Sequence, residues 1–377
     1  MNNPFIYGEE VIGESFIDRK KEIETFVRDI ESNERIFLIS PRRYGKTSLI
    51  VNLFLALKKK GLLTARIDLY KATSLQSFAN LYASSVINAI ESKPEKLVRI
   101  IQEFLPALRP TITMSPSGKT ELGLDLRPRE KNLELLLLDK LYNLPESIAD
   151  KRKKHIVVAF DEFQEIRNLD GKNIEKALRS SIQQHHSVSY IFAGSKKTIL
   201  YDMASNPSSP FYKMGKIVHL NKISKEDFEK FIVKEFAKRK TFLFDDAIEK
   251  IISLTENVPY NVQFLCHQLW DKCYEKKKIT VQDVDETISD ILSNQTPVYL
   301  TIWDNLPLSQ RHLLKAIAIS GGKNIFSHDF LTENKLGPAP SVQTSVNLLL
   351  SHGFLEKENG NYTLSDVFFK RWLERKA

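Results

Sequence analysis

The stretch IFLISPRRYGKTSLI, Ile36 to Ile50, decides how the rest of the chain is read. Its first four residues are apolar and read as a buried strand, and the periodic run SLIVNLFLALKKK at its end reads as a helix. Between them Ser40, Pro41, Arg42, Arg43, Tyr44, Gly45, Lys46 and Thr47 follow the pattern G-x-x-x-x-G-K-[ST], with serine in place of the first glycine. Such a loop holds phosphate because successive backbone N–H groups, backed by the dipole of the following helix, point at its oxygens. Gly45 allows close approach, Lys46 is expected to reach the β- and γ-phosphates, and the Thr47 hydroxyl to ligate Mg²⁺. Ser40 stands at the exit from the strand, where glycine is favoured for its dihedral freedom; serine is small and leaves the cradle nearer Gly45 intact. Ser40 to Ser48 is thus the expected nucleotide loop, with Lys46 standing exposed in it and supporting no core.

The partner of such a loop is a buried strand ending in a carboxylate, and HIVVAFDE from His155 supplies it. Asp161 is placed to hold Mg²⁺ through water, and Glu162 to orient and deprotonate the attacking water. VSYIFAGS from Val188 ends in Ser195, a polar residue at the same sheet edge that can touch the γ-phosphate or the water. An arginine usually meets the charge on the transferred phosphoryl group. Arg179, in KALRSSIQQHH, is the first candidate and Arg167 the second.

With LTARIDLY from Leu63, these strands alternate with helical patterns, which implies a three-layer α/β domain with a parallel sheet. PTITMSPSGKTELGLDL, with alternating residues about Pro-Ser-Gly, reads as an inserted β-hairpin. After Leu220 the alternation gives way to helices. ISKEDFEKFIVKEFAKRK opens with Ser224 as a cap and Asp227 three residues later, and SNQTPVYL reads as a linker into a last module of three helices and a hairpin about ENGN, a winged helix. The expected division is residues 1–220, an α/β nucleotide domain; 221–295, a helical lid; and 296–377, a winged helix.

The chain has 377 residues, 42% hydrophobic and 27% charged, as in ordinary folded domains. No apolar run is long enough to span a membrane and the N-terminus carries no leader pattern, so a cytoplasmic location is expected. Cys266 and Cys273 sit seven apart in a helical pattern and read as core residues, with no structural metal implied.

Taken in order, NPFIYGEEVIGESFIDRKKEI, SPRRYGKTSL, VVAFDEFQEI, YIFAGSKK, ENVPYNVQFLCHQLW and YTLSDVFFKRWL resemble the archaeal-type ATPases of the STAND group within the AAA+ P-loop class, over essentially the whole chain. The resemblance implies ATP and Mg²⁺ as ligands. It also implies that Phe16, Ile17 and Arg19 line the adenine pocket and that Pro259 and Tyr260 close it from the lid. The chain departs from the pattern at Ser40 and at TENVPY, where Asn257 replaces a glycine; asparagine tolerates left-handed geometry better than most residues. No lid arginine sensing the γ-phosphate is evident in VPYNVQFLCHQLW, which fits a switch better than a fast motor.

A winged helix invites a DNA reading, yet PSVQTSVNLLLSHG, the helix that would enter a groove, contains no Lys or Arg. From Thr296 onward nine Lys and Arg oppose seven Asp and Glu, nine minus seven being +2, against +8 for the whole chain. That is a weak footprint for phosphate-dominated binding. Basic runs lie instead at Lys58–Lys60, Lys151–Lys154, Lys238–Lys240 and Lys276–Lys278; the dipole accounts for cations at helix C-termini, and a duplex crossing the sheet edge where the first two fall is the alternative. The leading expectation is an ATP-driven switch, binding ATP and ADP and signalling to a protein partner, with homo-oligomers allowed. The alternatives are a DNA-acting ATPase related to initiators or transposition helpers, and a nucleotide-binding scaffold that does not hydrolyse.

Overall fold

Every residue of β1 (Ile36–Ile39) is buried, and so is every residue of the two other inner strands of its sheet, Ile156–Asp161 and Val188–Gly194. Strands buried on both faces belong to a sheet covered on both sides, which is why their sequences are unbroken apolar runs. In this computed structural model, which describes residues 2–17, 19–90, 99–100, 102–104, 109–114, 120–125, 138–195, 197–358 and 360–376, β2 is Leu63–Asp68 and β3 (Arg109–Met114) pairs antiparallel with β4 (Thr120–Asp125). The buried strands above are β5 (Ile156–Asp161) and β6 (Val188–Gly194), followed by β7 (Lys216–His219). The five-stranded sheet runs β2-β5-β6-β1-β7 with parallel pairing throughout. The inserted hairpin is therefore present as β3 and β4, while its Pro-Ser-Gly turn falls outside the described residues.

Register places Phe37 beside Phe192 and Phe160 beside Phe192. Their rings stack at 4.8 and 5.8 Å, and Phe163 and Phe211 close on Phe192 at 4.7 and 5.3 Å. All five are fully buried, each worth roughly 1.5–3 kcal/mol by area. This aromatic cluster holds β1, β5 and β6 together, and the carboxyl ends of those three strands carry the site.

The chain divides into two compact units, Gly8–Lys222 and Met1–Tyr7 with Ile223–Ala377. In the second, the opening residues pack against the helices beyond Ile223: Phe5 is fully buried, with its ring 5.0 Å from Phe236 and 6.0 Å from Trp270. Short strands β8 (Phe242–Leu243) and β9 (Lys278–Ile279) pair in parallel. Ser224 caps the helix Lys225–Ala237 by accepting from Asp227 N. Cys266 and Cys273 are buried free thiols.

SNQTPVYL is not a linker. It lies inside one helix, Val281–Asn305, that runs through Pro297. Two contacts hold that stretch: Trp372 Nε1 donates to Thr296 Oγ1 at 3.1 Å, and Tyr299 is buried with its ring 5.2 Å from Phe369. Burial of this face overrides the helix-breaking tendency of proline, whose lost hydrogen bond is a local cost. Helices Leu308–Ser320, His328–Glu333 and Ala339–Ser351 follow, then the hairpin β10 (Leu355–Glu358) and β11 (Asn361–Leu364), and the helix Val367–Arg375. This is the expected winged helix. Among the described residues no helix is long and apolar enough to cross a membrane.

Candidate nucleotide site

The loop after β1 turns through two residues with positive φ, Arg43 at 68° and Gly45 at 80°. Gly45 caps the helix Lys46–Lys59 in left-handed geometry, and a Cβ added there would meet nothing within 4 Å. Its glycine requirement is thus one of backbone angle. Ser40 stands outside the positive-φ set; it is fully buried, extends the ladder by donating its N–H to Gly194 O at 3.2 Å, and its Oγ donates to Pro41 O at 3.0 Å. The serine is accommodated because the left-handed angles this loop needs fall later in it.

Lys46 is not exposed: it retains 6% of its surface, with Nζ 2.5 Å from Asp161 Oδ1 and 2.7 Å from Glu162 Oε1. The sequence could not show this, because the carboxylates reach it only through the β1–β6–β5 sheet order. Thr47 Oγ1 donates to Asp161 Oδ2 at 3.0 Å. The two oxygens thus face each other, a hard-oxygen pair of the kind Mg²⁺ takes alongside phosphate oxygens.

Glu162 adopts φ 51°, ψ 47°, left-handed geometry that costs a non-glycine residue about 1–2 kcal/mol. Its carboxylate is held on three sides. Oε1 meets Lys46, while Oε2 accepts from Gln164 Nε2 at 2.6 Å, Ser195 Oγ at 2.8 Å and Ser195 N at 3.2 Å. Burial alone would raise this carboxyl, but the Lys46 charge and the hydrogen bonds from Lys46, Gln164 and Ser195 outweigh it and hold the group at about 2. Strain maintained by surrounding bonds at the end of a strand is a pattern typical of functional positions.

Lys46, Thr47, Asp161, Glu162 and Ser195 therefore converge within hydrogen-bond distance. Other expected residues do different things. The Ser48 hydroxyl accepts from Val11 N at 3.0 Å. Pro41 and Tyr44 are buried, while Arg42 and Arg43 are exposed. Phe16 is half-buried and Ile17 buried; the Arg19 guanidinium, 3% exposed, donates to Glu22 at 2.8 Å and to Asn221 O at 2.7 Å. Pro259 and Tyr260 belong to the second unit and open the helix Pro259–Lys272, with Tyr260 stacked on Phe264. Before them Glu256 and Asn257 both have positive φ, 53° and 58°, so the turn that lacks its glycine is made. Arg179 bonds along its own helix, to Gln183 at 2.6 Å, whereas Arg167 is paired with Glu175 and Asp202 at 2.9 and 3.1 Å.

Two participants went unread in the sequence. Gln164 is buried and bonds Glu162; it stood in the motif VVAFDEFQEI with no role given. Asn52, one turn past Ser48, accepts from Gly13 N at 3.1 Å and donates to Val11 O at 2.9 Å, pinning the N-terminal segment to the helix after the loop. Nothing in the local sequence signals that.

A family model described as "Probable winged helix domain" matches residues 297–375. Over 153 residues the chain is 24% identical to a probable DNA polymerase III subunit delta of Aquifex aeolicus (strain VF5), a match spanning 39% of this chain and 41% of the length of that curated relative. Among solved structures it is similar to the Walker-type ATPase of Pyrococcus abyssi, with a TM-score of 0.67 and 16% identity over 98% of this chain and 99% of that one. It is also similar to the ORC2 protein of Aeropyrum pernix in its ADP form, with a TM-score of 0.52 and 13% identity over 97% of each chain. At these identities the likeness is one of fold, and the fold is that of an AAA+-like P-loop ATPase followed by helices and a C-terminal winged helix.

Proposed function

We propose that this protein binds and slowly hydrolyses ATP as a conformational switch of the STAND type, signalling to a protein partner through its lid and winged helix. The observation that carries this reading is the convergence of Lys46, Thr47, Asp161, Glu162 and Ser195 at one sheet edge, beside the N-terminus of the helix Lys46–Lys59. Backbone N–H groups of residues 43–48 would cradle the phosphates. Phosphate oxygens would compete with Asp161 and Glu162 for Lys46 Nζ, freeing both carboxylates. Thr47 and Asp161 would hold Mg²⁺, which when bound supplies charge neutralisation on the phosphate oxygens. Glu162, oriented by Gln164 and Ser195, would take a proton from water. Phe16, Ile17 and Arg19 are proposed for the adenine, and Arg179 for the transferred phosphoryl group from a neighbouring subunit.

Within the second unit, helix Val281–Asn305 continues from the lid into the winged helix, and Phe264 meets Phe368 at 5.2 Å. This supports a lid and winged helix that respond together. The test is phosphate release with Mg²⁺ and ATP. Wild type is expected to turn over slowly, and Glu162→Gln to bind ATP and retain it. Equal turnover in both would remove Glu162 from the chemistry, and absence of ATP binding by wild type would sink the proposal.

A DNA-acting role is the second reading, favoured by the winged-helix match and by the likeness to a polymerase subunit. It requires ATP-dependent, salt-sensitive duplex binding by the full chain. The helix Ala339–Ser351 argues against its own entry into a groove: Val342, Val346 and Leu349 are buried in the module, and its exposed face carries no cation.

A further inference from the structure

Strands β8 and β9 place Phe242 opposite Lys278 and Leu243 opposite Ile279. Leu243 and Ile279 are buried, so strand alternation turns Phe242 and Lys278 to solvent. Phenylalanine is ordinarily among the buried residue types. Here Phe242 is 57% exposed and Phe244, two residues on, 40% exposed, with their rings 5.4 Å apart and nearly perpendicular.

The same pairing joins two basic runs that lie far apart in the chain. Lys238-Arg239-Lys240 leads into β8 and Lys276-Lys277-Lys278 into β9, and the two are clamped by Thr241 Oγ1 to Lys276 O at 3.0 Å and Phe242 N to Lys277 O at 2.9 Å. Lys276 bonds Asp283 and Lys238 pairs with Glu235. Among the described residues no carboxylate lies within ion-pair distance of Lys240, Lys277 or Lys278, all exposed. Arg239 turns inward, donating to Trp270 O and Cys273 O at 2.6 and 2.9 Å, and lies 5.7 Å from the ring of Tyr274, itself 53% exposed. Asp245 and Asp246 follow Phe244 at the other end of β8, while Glu275 precedes Lys276 beside the basic runs, where the cations outnumber it.

We infer that this ribbon binds single-stranded nucleic acid, with bases stacked on Phe242 and Phe244 and phosphates along Lys240, Lys277 and Lys278. Exposed rings beside unpaired cations match the chemistry of an open strand, whose bases offer free faces; a duplex hides them. A second copy of this chain would oppose lysine to lysine. The surface lies within the second unit and does not depend on the ATP reading.

The test is anisotropy of the full chain with labelled oligothymidylate and oligouridylate of about 16 nucleotides. Binding to either supports the inference. Three neutralised phosphates predict a loss of about 15- to 20-fold between about 50 and 200 mM salt. Phe242→Ala should weaken binding by about five-fold or more, with Phe244→Ala compounding it; Lys277→Glu with Lys278→Glu should weaken it further and flatten the salt slope. Circular dichroism and thermal melting check that these surface variants fold. The inference is overturned by absence of binding, by equal binding of Phe242→Ala, by duplex binding as tightly, or by Phe242→Ala instead abolishing self-association or binding to phosphatidylserine vesicles.

Discussion

Gln164 Nε2 donates to Glu162 Oε2 across 2.6 Å. The other end of that amide, Oε1, is buried with no hydrogen-bond partner among the described residues and lies where a Cβ on Gly194 would come within 2.1 Å of it. Gly194 is thus fixed by the space Gln164 takes up. Gly194→Ala should push Gln164 off Glu162 and cost about 1–3 kcal/mol of stability together with turnover. Adding Gln164→Ala makes room for the methyl group, so the double variant should recover stability relative to the sum, with a coupling of about 0.5–3 kcal/mol. Additive effects in urea unfolding would show that the two residues are not in contact.

Lys46 serves the fold as well as the site. Its ammonium is enclosed between Asp161 and Glu162, and Lys46→Ala leaves both carboxylates without their counter-charge. We expect a loss of about 3 kcal/mol, at the low end for breaking a buried pair because Glu162 keeps 23% of its side-chain surface. Calorimetry should show nucleotide binding abolished in the same variant. An unchanged denaturation midpoint would mean that water replaces the ion pair at no cost.

Arg167 and Arg179 lie on one helix and should behave oppositely. Glu175, the partner of Arg167, is fully buried, so Arg167→Ala should destabilise by about 3 kcal/mol or more. Arg179→Ala removes an exposed bond along the helix and should change stability by no more than about 0.5 kcal/mol. If Arg179 acts on a neighbouring subunit, mixing Arg179→Ala with Glu162→Gln protein should restore some turnover. Turnover that neither depends on concentration nor returns on mixing would exclude that role.

His185 predicts an acid limb of stability. Burial, then the nearby Arg35 charge, pushes its imidazole down to about 4; Asp150 opposes this and His186 adds to it. The neutral ring bonds Tyr190 OH at 2.7 Å and Asn143 Oδ1 at 3.0 Å. A group whose folded value is depressed contributes stability that is present above its unfolded value, near 6.5, and is lost as pH falls toward 4. His155, also lowered by burial, acts in the same direction. Melting temperature should fall across this window, and His185→Gln should be less stable at pH about 7 yet show a shallower fall. Parallel pH profiles would remove His185 as a cause.

What the sequence determined by itself was whatever rests on local pattern. Buried runs ending in Ser40, Asp161 and Ser195 define strands and place their polar ends at one sheet edge, because a strand covered on both faces has no polar position except its ends. The phosphate loop, the inserted hairpin, the cap at Ser224 and the winged helix were legible for the same reason: each is a relation among residues a few positions apart. Asn257 could be read as tolerating left-handed geometry because that preference belongs to its side chain.

The tertiary structure decided the rest through contacts whose partners lie far apart in the chain. Lys46 meets Asp161 across 115 residues, a distance closed only by the order in which the strands pair. Glu162 is left-handed, a cost its neighbours Gln164 and Ser195 help to hold in place, and no local rule assigns such an angle to glutamate. Pro297 reads locally as a break, yet the burial of Tyr299 and the bond from Trp372 to Thr296 keep its helix whole. Local preference sets what a segment favours by about 1 kcal/mol or a few at most, and burial against distant residues is large enough to overrule it.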